Sequence, residues 1–267
     1  MSGNVARVRG IEMAYDDDGE GTPVVLLHGF PFERSMWREQ SEALAGEFRV
    51  VAPDLRGLGE TRAGGADVTM SAMAEDVAAL LDGLSLRSVV LGGLSMGGYV
   101  AFECLRLFPE RVRALLLADT RPQSETDEGR RTREETARRI LKEGMASVVD
   151  GMLPRLLTAD TRGRRPDVVE RLRAMILGTN PEGAAAAVRA MAVRRDQTEL
   201  LPSIGVPTLV VVGAEDPVTP PADAEAMAAK IKGSRLRIIE GASHLSNVER
   251  PAEFNRALGD FLRGLPS

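Results

Sequence analysis

Short apolar runs alternate with segments of helical periodicity along most of the chain. The run at residues 24–27 is apolar at every position, which is typical of a strand covered on both faces. Similar runs lie at residues 49–52, 88–91, 114–118, 208–212 and 236–239, with helical periods at residues 36–44, 71–84, 97–108, 222–230 and 251–262. Strands that alternate with helices predict an α/β chain with a mostly parallel, doubly wound sheet.

Two segments depart from this alternation. Near the start, residues 5–9 and 11–15 are short strand-like runs on either side of Gly10, which predicts a hairpin. From about residue 121 to residue 203 the pattern is helical, with no convincing strand. Strand and helix patterns resume after it. We therefore interpret residues 121–203 as a helical cap inserted into a core domain of residues 1–120 and 204–267.

Composition narrows the range of partners. The formal net charge of −5 and the aromatic content of 4% argue against nucleic acid or an anionic membrane surface. The single cysteine, Cys104, excludes an intrachain disulfide, and two histidines and one cysteine far apart do not make a zinc site. There is no apolar signal segment and no apolar run long enough for a membrane span. We expect a cytoplasmic protein with a small-molecule partner; the oligomeric state stays open.

The strongest chemical signal is a serine flanked by glycines. Gly93, Ser95 and Gly97 form the pattern Gly-x-Ser-x-Gly, with an apolar strand before it and a helical period after it. That context is typical of a sharp strand-to-helix turn that exposes a nucleophilic hydroxyl above a sheet. The helix dipole at such a turn favours developing negative charge. We therefore predict that Ser95 is a catalytic nucleophile.

A serine hydroxyl needs a base to take its proton. The chain has two histidines, His28 after the first buried run and His244 after the last one. Three carboxylates follow strand-like runs and are candidates to orient the base, namely Asp119, Glu215 and Asp216. An acid in that place fixes the imidazole tautomer and stabilises the imidazolium.

Taken together, these motifs resemble the α/β-hydrolase family of serine esterases. They occur along the chain as His28-Gly29, Asp54-x-Arg56-Gly57-x-Gly59, Gly93-x-Ser95-x-Gly97, Gly213-x-x-Asp216-Pro217 and His244. Within the family the chain looks most like 3-oxoadipate enol-lactonases and related small carboxylesterases. This resemblance rests on Met36-Trp37, Asn180-Pro181-Glu182-Gly183 and residues 242–251. Leu58 departs from the pattern, because many relatives have histidine there. We expect Asp54 and Arg56 to brace a tight loop as a hydrogen-bonded pair.

The resemblance implies the α/β-hydrolase fold and a triad in the chain order serine, acid, histidine. Only His244 follows Ser95, so it is the predicted general base. Asp216 has the usual Gly-x-x-Asp-Pro spacing and is the predicted acid, with Asp119 as the alternative.

The remaining parts of the predicted site surround the serine. The resemblance implies that the oxyanion hole consists of the backbone N–H groups of Phe30 and Met96. His28 would then hold the oxyanion loop through hydrogen bonds. We expect Trp37 and Met145 to line the substrate pocket, and no metal or other cofactor is implied.

The implied reaction is hydrolysis of a small carboxylic ester or lactone through an acyl-enzyme. A cap without Phe, Tyr or Trp favours small substrates. The sharpest alternative is an enol-lactonase, whose anionic lactone would need an arginine facing the pocket. The candidates in the cap are Arg133, Arg138, Arg155, Arg173 and Arg189. Perhydrolysis, C–C bond hydrolysis and hydroxynitrile lysis share the triad and stay open, as does a ligand receptor with little or no turnover.

Overall fold

A computed structural model of the chain describes residues 3–63 and 67–266. Eight strands form one sheet: β1 (Asn4–Val8), β2 (Ile11–Asp18), β3 (Thr22–Leu27), β4 (Phe48–Pro53), β5 (Val89–Leu94), β6 (Val112–Ala118), β7 (Thr208–Gly213) and β8 (Arg235–Ile239). Their order across the sheet is β1-β2-β4-β3-β5-β6-β7-β8. The first two strands form the predicted hairpin, and β2 is also antiparallel to β4.

The other strand pairs are all parallel, which confirms the predicted mostly parallel sheet. Parallel strands end at the same edge, so the carboxyl ends of β5, β6 and β7 lie side by side. These central strands are buried at every position or nearly so, which explains their unbroken apolar sequences. The residues that follow them are therefore brought together at one edge of the sheet.

Eleven α-helices occur among the described residues. They are α1 (Arg38–Leu44), α2 (Met70–Gly83), α3 (Met96–Leu107), α4 (Asp127–Glu143), α5 (Ala146–Leu156), α6 (Ala159–Arg164), α7 (Pro166–Gly178), α8 (Pro181–Ala192), α9 (Pro221–Lys230), α10 (Ser246–Glu249) and α11 (Pro251–Arg263). The predicted first helix is shorter than expected, because its opening turn, Arg34–Trp37, is a 3₁₀ helix.

Five consecutive helices, α4 to α8, separate β6 from β7 in the chain. They occupy the segment that we interpret as the cap. Four of them overlap the helical periods that the sequence shows at residues 133–145, 147–157, 166–177 and 181–193, whereas α6 was not predicted. This helix is only six residues long, and Thr158 begins it by accepting a hydrogen bond from the N–H of Thr161. The division into a cap of residues 121–203 and a core of residues 1–120 and 204–267 remains our interpretation.

The loop after β4 is braced by two separate ion pairs, so the expected pairing of Asp54 with Arg56 is wrong. Asp54 accepts the backbone N–H groups of Arg34 and Glu60, each at 2.8 Å, and pairs with the Arg34 guanidinium. Arg56 instead forms two hydrogen bonds of 2.6 Å with Asp76 on α2. Both carboxylates are fully buried, which is why each needs a cation of its own.

Candidate active site

Ser95 stands in a strained turn between β5 and α3. Its φ angle is +53°, a region that non-glycine residues rarely adopt. The flanking glycines are required by space, because a Cβ on Gly93 would collide with the carbonyl of Gly97, and one on Gly97 with that of Leu27. The Ser95 N–H donates to the carbonyl of Ala118 at 3.0 Å. The turn therefore holds the hydroxyl above the edge of the sheet.

His244 lies within hydrogen-bond distance of this hydroxyl. Its Nε2 is 2.9 Å from Ser95 Oγ, and its Nδ1 is 2.8 Å from Asp216 Oδ2. An ionised carboxylate only accepts, so Nδ1 carries the proton and Nε2 is free to accept the proton of Ser95. The histidine is 3% exposed, so it is almost fully screened from bulk water.

Asp216 is held by its own loop. Oδ1 accepts the N–H groups of Val218 at 2.7 Å and Thr219 at 3.0 Å, and Oδ2 accepts the Thr219 hydroxyl at 2.6 Å. Burial on its own would raise the pKa of Asp216, but the hydrogen bond and charge of His244, together with Thr219, outweigh it and hold the pKa below its usual value. The carboxylate is thus ionised where it meets the imidazole. This role of Thr219, which follows Asp216 by three residues in the same loop, was not predicted from the sequence.

The two other candidate acids lie elsewhere. Glu215 is exposed, whereas Asp216 is buried. Asp119 is fully buried, accepts the N–H of Gly213 at 2.9 Å, and accepts the hydroxyl of Ser246 at 2.5 Å. Burial, and then the charge of Asp216, raise the pKa of Asp119 well above its usual value. Asp119 therefore joins the loops that carry Asp216 and His244 and does not itself contact the imidazole.

His28 is engaged on both ring nitrogens. Nε2 accepts the N–H of Leu55 at 2.9 Å, and Nδ1 donates to the carbonyl of Gly29 at 3.0 Å. Burial lowers the pKa of His28, so the ring is neutral in this place. A Cβ on Gly29 would lie 3.5 Å from the Cβ of Ser95, so the loop held by His28 runs directly beside the serine. Phe30 follows in this loop.

A cavity of about 540 Å³ opens above Ser95 and His244. Phe30 and Tyr99 line it from the core, and the cap contributes residues from α4, α5 and α8 and from the loop before α4. The apolar cap side chains among them include Ile140, Val148, Met152, Leu156, Val188 and Met191. The size is within the usual range for small-molecule sites. No helix in the described residues has the length and apolar character needed to cross a membrane.

The α/β hydrolase fold family matches residues 22–251 of this sequence. The chain belongs to that family. It is 30% identical to 3-oxoadipate enol-lactonase 1 of Acinetobacter baylyi over 246 residues, which cover 91% of this chain and 89% of the relative. A thermophilic esterase from Thermogutta terrifontis, solved with malate bound, is 43% identical, with a TM-score of 0.96 over 100% of both chains. The enol-lactonase from Burkholderia xenovorans LB400 is 33% identical, with a TM-score of 0.90 over 97% of this chain and 100% of that one.

The chain is thus an α/β hydrolase of the esterase and lactonase type. The prediction that Trp37 and Met145 line its pocket is wrong. Trp37 is fully buried in the core, where its ring centroid lies 6.0 Å from that of Phe254. Trp37 is not among the residues that line the cavity. Met145 precedes α5 and is buried among core side chains. Met152 and Met191 are the cap methionines that line the cavity.

The cavity is also lined by charged side chains, most of which were not proposed from the sequence. Four arginines line it with two glutamates: Arg121, Arg133, Arg139 and Arg155, with Glu125 and Glu128. Glu125 accepts hydrogen bonds from Arg133 at 2.8 Å and from Arg194 at 2.7 Å. Burial would raise its pKa, but these two cations outweigh that effect and bring it to about 2. The wall therefore has an excess of positive charge.

Only two of the five cap arginines considered from the sequence line this cavity, Arg133 and Arg155. The other three form ion pairs with carboxylates of the cap: Arg138 and Arg189 with Glu134, and Arg173 with Asp150. Arg139 on α4 was missed, since helical periodicity does not tell which face of a cap helix turns toward the core. Arg121 and Glu125 were missed because they lie in the loop before α4, which has no periodic pattern.

Proposed function

We propose that this hydrolase cleaves small carboxylic esters or lactones through an acyl-enzyme on Ser95. The observation that carries the proposal is the continuous hydrogen-bonded arrangement of Ser95 Oγ, the His244 ring and the Asp216 carboxylate at 2.9 Å and 2.8 Å. The lowered pKa of Asp216 supports the proposal, because the reaction needs an ionised acid beside the histidine. The cavity opens directly onto Ser95 and His244.

The proposed reaction has two halves. Ser95 Oγ attacks the carbonyl carbon while His244 Nε2 takes the hydroxyl proton, and the backbone N–H groups of Phe30 and Met96 stabilise the oxyanion. His244 then returns the proton to the leaving alkoxide, which departs as an alcohol. Water, activated by the same histidine, attacks the acyl-enzyme and releases the acid. Asp216 stabilises the imidazolium in both halves.

The substrate preference follows from the lining of the cavity. Its wall mixes apolar cap side chains with four arginines and two glutamates, so a long apolar acyl chain would lie against charged groups. We therefore expect kcat/KM to be higher for a four-carbon than for a twelve-carbon acyl ester. A panel of p-nitrophenyl esters of graded length, with a panel of lactones, tests this expectation, and Ser95→Ala serves as the control for background hydrolysis. A preference for the twelve-carbon ester would refute the small-substrate assignment.

An anionic lactone or ester is the second candidate substrate, and the arginines of the cavity wall favour it. Arg121 has a buried Nε without a hydrogen-bond partner among the described residues, and the wall has two more cationic than anionic side chains. The related esterase that was solved with malate shows that a dicarboxylate binds to a close structural relative. A guanidinium grips a carboxylate with two parallel hydrogen bonds.

Inhibition measurements distinguish the two candidates. With a neutral p-nitrophenyl ester as substrate, adipate and malate should inhibit competitively if the wall binds carboxylates. Their inhibition should weaken as the salt concentration rises, because exposed charges are screened. Neutral diesters of the same acids serve as the matched control. Equal inhibition by the diacids and the diesters would remove the argument for an anionic substrate.

A further inference from the structure

A buried glutamate connects the segment that carries His244 to the cap. Glu249 is the last residue of α10 and is 2% exposed. Its Oε2 accepts the N–H of Ser243, the residue before His244, at 2.6 Å. Its Oε1 accepts both the N–H and the hydroxyl of Thr158, each at 2.8 Å. One carboxylate therefore receives three hydrogen bonds from two segments that lie far apart in the sequence.

The same two segments meet in further hydrogen bonds. The N–H of Leu245 donates to the carbonyl of Leu156 at 3.2 Å, and the hydroxyl of Ser243 donates to the carbonyl of Arg155 at 3.4 Å. Arg155 and Leu156 both line the cavity above Ser95. The end of α5 thus contacts the histidine segment on one side and the substrate space on the other.

We propose that Glu249 is a positioning residue that holds His244 and the cap segment 155–158 in one fixed relation. The inference rests on the proposed role of His244 as general base. Without the carboxylate, the N–H of Ser243 loses its acceptor and the imidazole loses the backbone support that keeps it 2.9 Å from Ser95 Oγ. The end of α5 loosens at the same time, and with it one wall of the cavity.

The chemistry of the contacts predicts that an amide cannot replace this carboxylate. Two of the three donors to Glu249 are backbone N–H groups, one on each carboxylate oxygen, and neither can reverse its direction. A glutamine would turn its NH₂ group toward one of them. Glu249→Gln therefore removes one hydrogen bond and sets two donors against each other, although it keeps the size of the side chain.

Glu103 offers a matched control away from the histidine. It is 3% exposed and accepts hydrogen bonds from Ser71, Arg106 and Gln197. Glu103→Gln also removes a buried carboxylate, so it should lower the melting temperature without moving the triad. Thr158→Val is the second variant. It removes the hydroxyl that bonds to Glu249 and that caps α6, both on the cap side, and leaves the N–H of Ser243 bonded to Glu249.

The test is steady-state kinetics with p-nitrophenyl acetate and butyrate, well below each variant's melting temperature, with the folded fraction measured by circular dichroism. Glu249→Gln should lower kcat by roughly tenfold to a hundredfold for both esters, the scale of a small misplacement of catalytic groups. Thr158→Val should raise KM with kcat changed less than threefold (about 0.7 kcal/mol). Glu103→Gln should keep both constants.

Equal kcat in Glu249→Gln and Glu103→Gln at the same folded fraction would overturn the positioning role and leave Glu249 as an ordinary buried contact. If Glu249→Gln does not fold, the test rests on Thr158→Val. A fall in kcat as large as its rise in KM would overturn the proposal that the Thr158 contact controls the cavity wall while the Ser243 contact controls the position of His244. Ser95→Ala is measured in parallel. Activity that survives in that variant refutes the proposed function itself, which is a different outcome from failure at Glu249.

Discussion

The two walls of the cavity hold their functional side chains in different ways. At the edge of the sheet, Asp216 and His244 have side chains exposed by 0% and 4%, and backbone N–H groups fix the carboxylate. Across the cavity, the side chains of Arg121 and Arg133 are exposed by 29% and 25% and are held by ion pairs to Glu125. The first wall is built from tight backbone turns, and the second from long side chains of the cap, on α4 and in the loop before it.

This difference teaches which property each wall can control. Backbone turns hold reacting atoms within a few tenths of an ångström, which proton transfer requires. Long charged side chains adapt to what binds and carry specificity. We therefore expect substitutions at the sheet edge to change kcat for every substrate, and substitutions in the cap to change the ranking of substrates.

The largest expected effect is at the nucleophile. Ser95→Ala should lower kcat by about 10⁶ while the fold persists, since the turn geometry belongs to the backbone and the glycines. The rate of hydrolysis of a sensitive fluorogenic ester measures the loss of kcat, and far-ultraviolet circular dichroism shows whether the fold persists. A variant that retained more than about a tenth of the wild-type rate would remove Ser95 from the mechanism.

The next effect concerns the acid. Asp216→Asn should lower kcat by roughly 10⁴, because asparagine favours the wrong tautomer of His244. Glu215→Gln changes the neighbouring carboxylate, which is exposed, and should leave kcat nearly unchanged. A comparison of the two variants on one ester decides the assignment, and equal losses would contradict it.

A smaller effect is expected in the cap. Arg133 and Arg138 are both on α4, but only Arg133 lines the cavity. Arg133→Gln should raise KM for an ester that carries a free carboxylate by roughly tenfold to a hundredfold, the scale of a charged hydrogen bond, and spare the neutral methyl diester. Arg138→Gln is the control and should change neither. A loss of the same size on both substrates would assign Arg133 to cap stability.

The smallest effect is on stability. The pKa of Asp119 is raised in the folded state, chiefly by burial. The folded chain therefore keeps this proton at pH values where the unfolded chain has lost it, and its contribution to stability falls as pH rises above the unfolded pKa. Asp119→Asn has no carboxyl proton to lose and keeps an oxygen that accepts the N–H of Gly213, so it removes this dependence.

Urea unfolding between pH 4 and pH 7 measures the effect. The free energy of unfolding of Asp119→Asn should improve relative to the wild type as pH rises through this interval. A difference between the two proteins that stays constant with pH would show that Asp119 titrates alike in the folded and unfolded states.

The sequence predicted one wall of the cavity much better than the other. The pattern around Ser95 requires a particular backbone turn, and the strand order then brings the segments of His244 and Asp216 to it. The prediction that Trp37 and Met145 line the pocket was wrong because both are apolar residues near helix starts. There a shift of one helical turn decides whether a side chain faces the core or the cavity. Helical periodicity marks a buried face, but it does not distinguish burial against the core from burial against a substrate.

Glu249 shows a second limit of the sequence. Its partner Thr158 begins α6, a helix too short to give a periodic signal, and lies 91 residues away along the chain. Only the packing of the cap on the histidine segment brings the two together. The motif around His244 therefore indicated the fold and the base but not the contact to the cap.

Direct observation of the acyl-enzyme tests the central claim most closely. The wild-type protein is mixed with p-nitrophenyl acetate, quenched in acid within the first turnover and analysed by intact mass and peptide mapping. The account predicts one added acetyl group per chain, located on Ser95, and none in Ser95→Ala. An unmodified chain during rapid turnover, or an acetyl group on another residue, would contradict it.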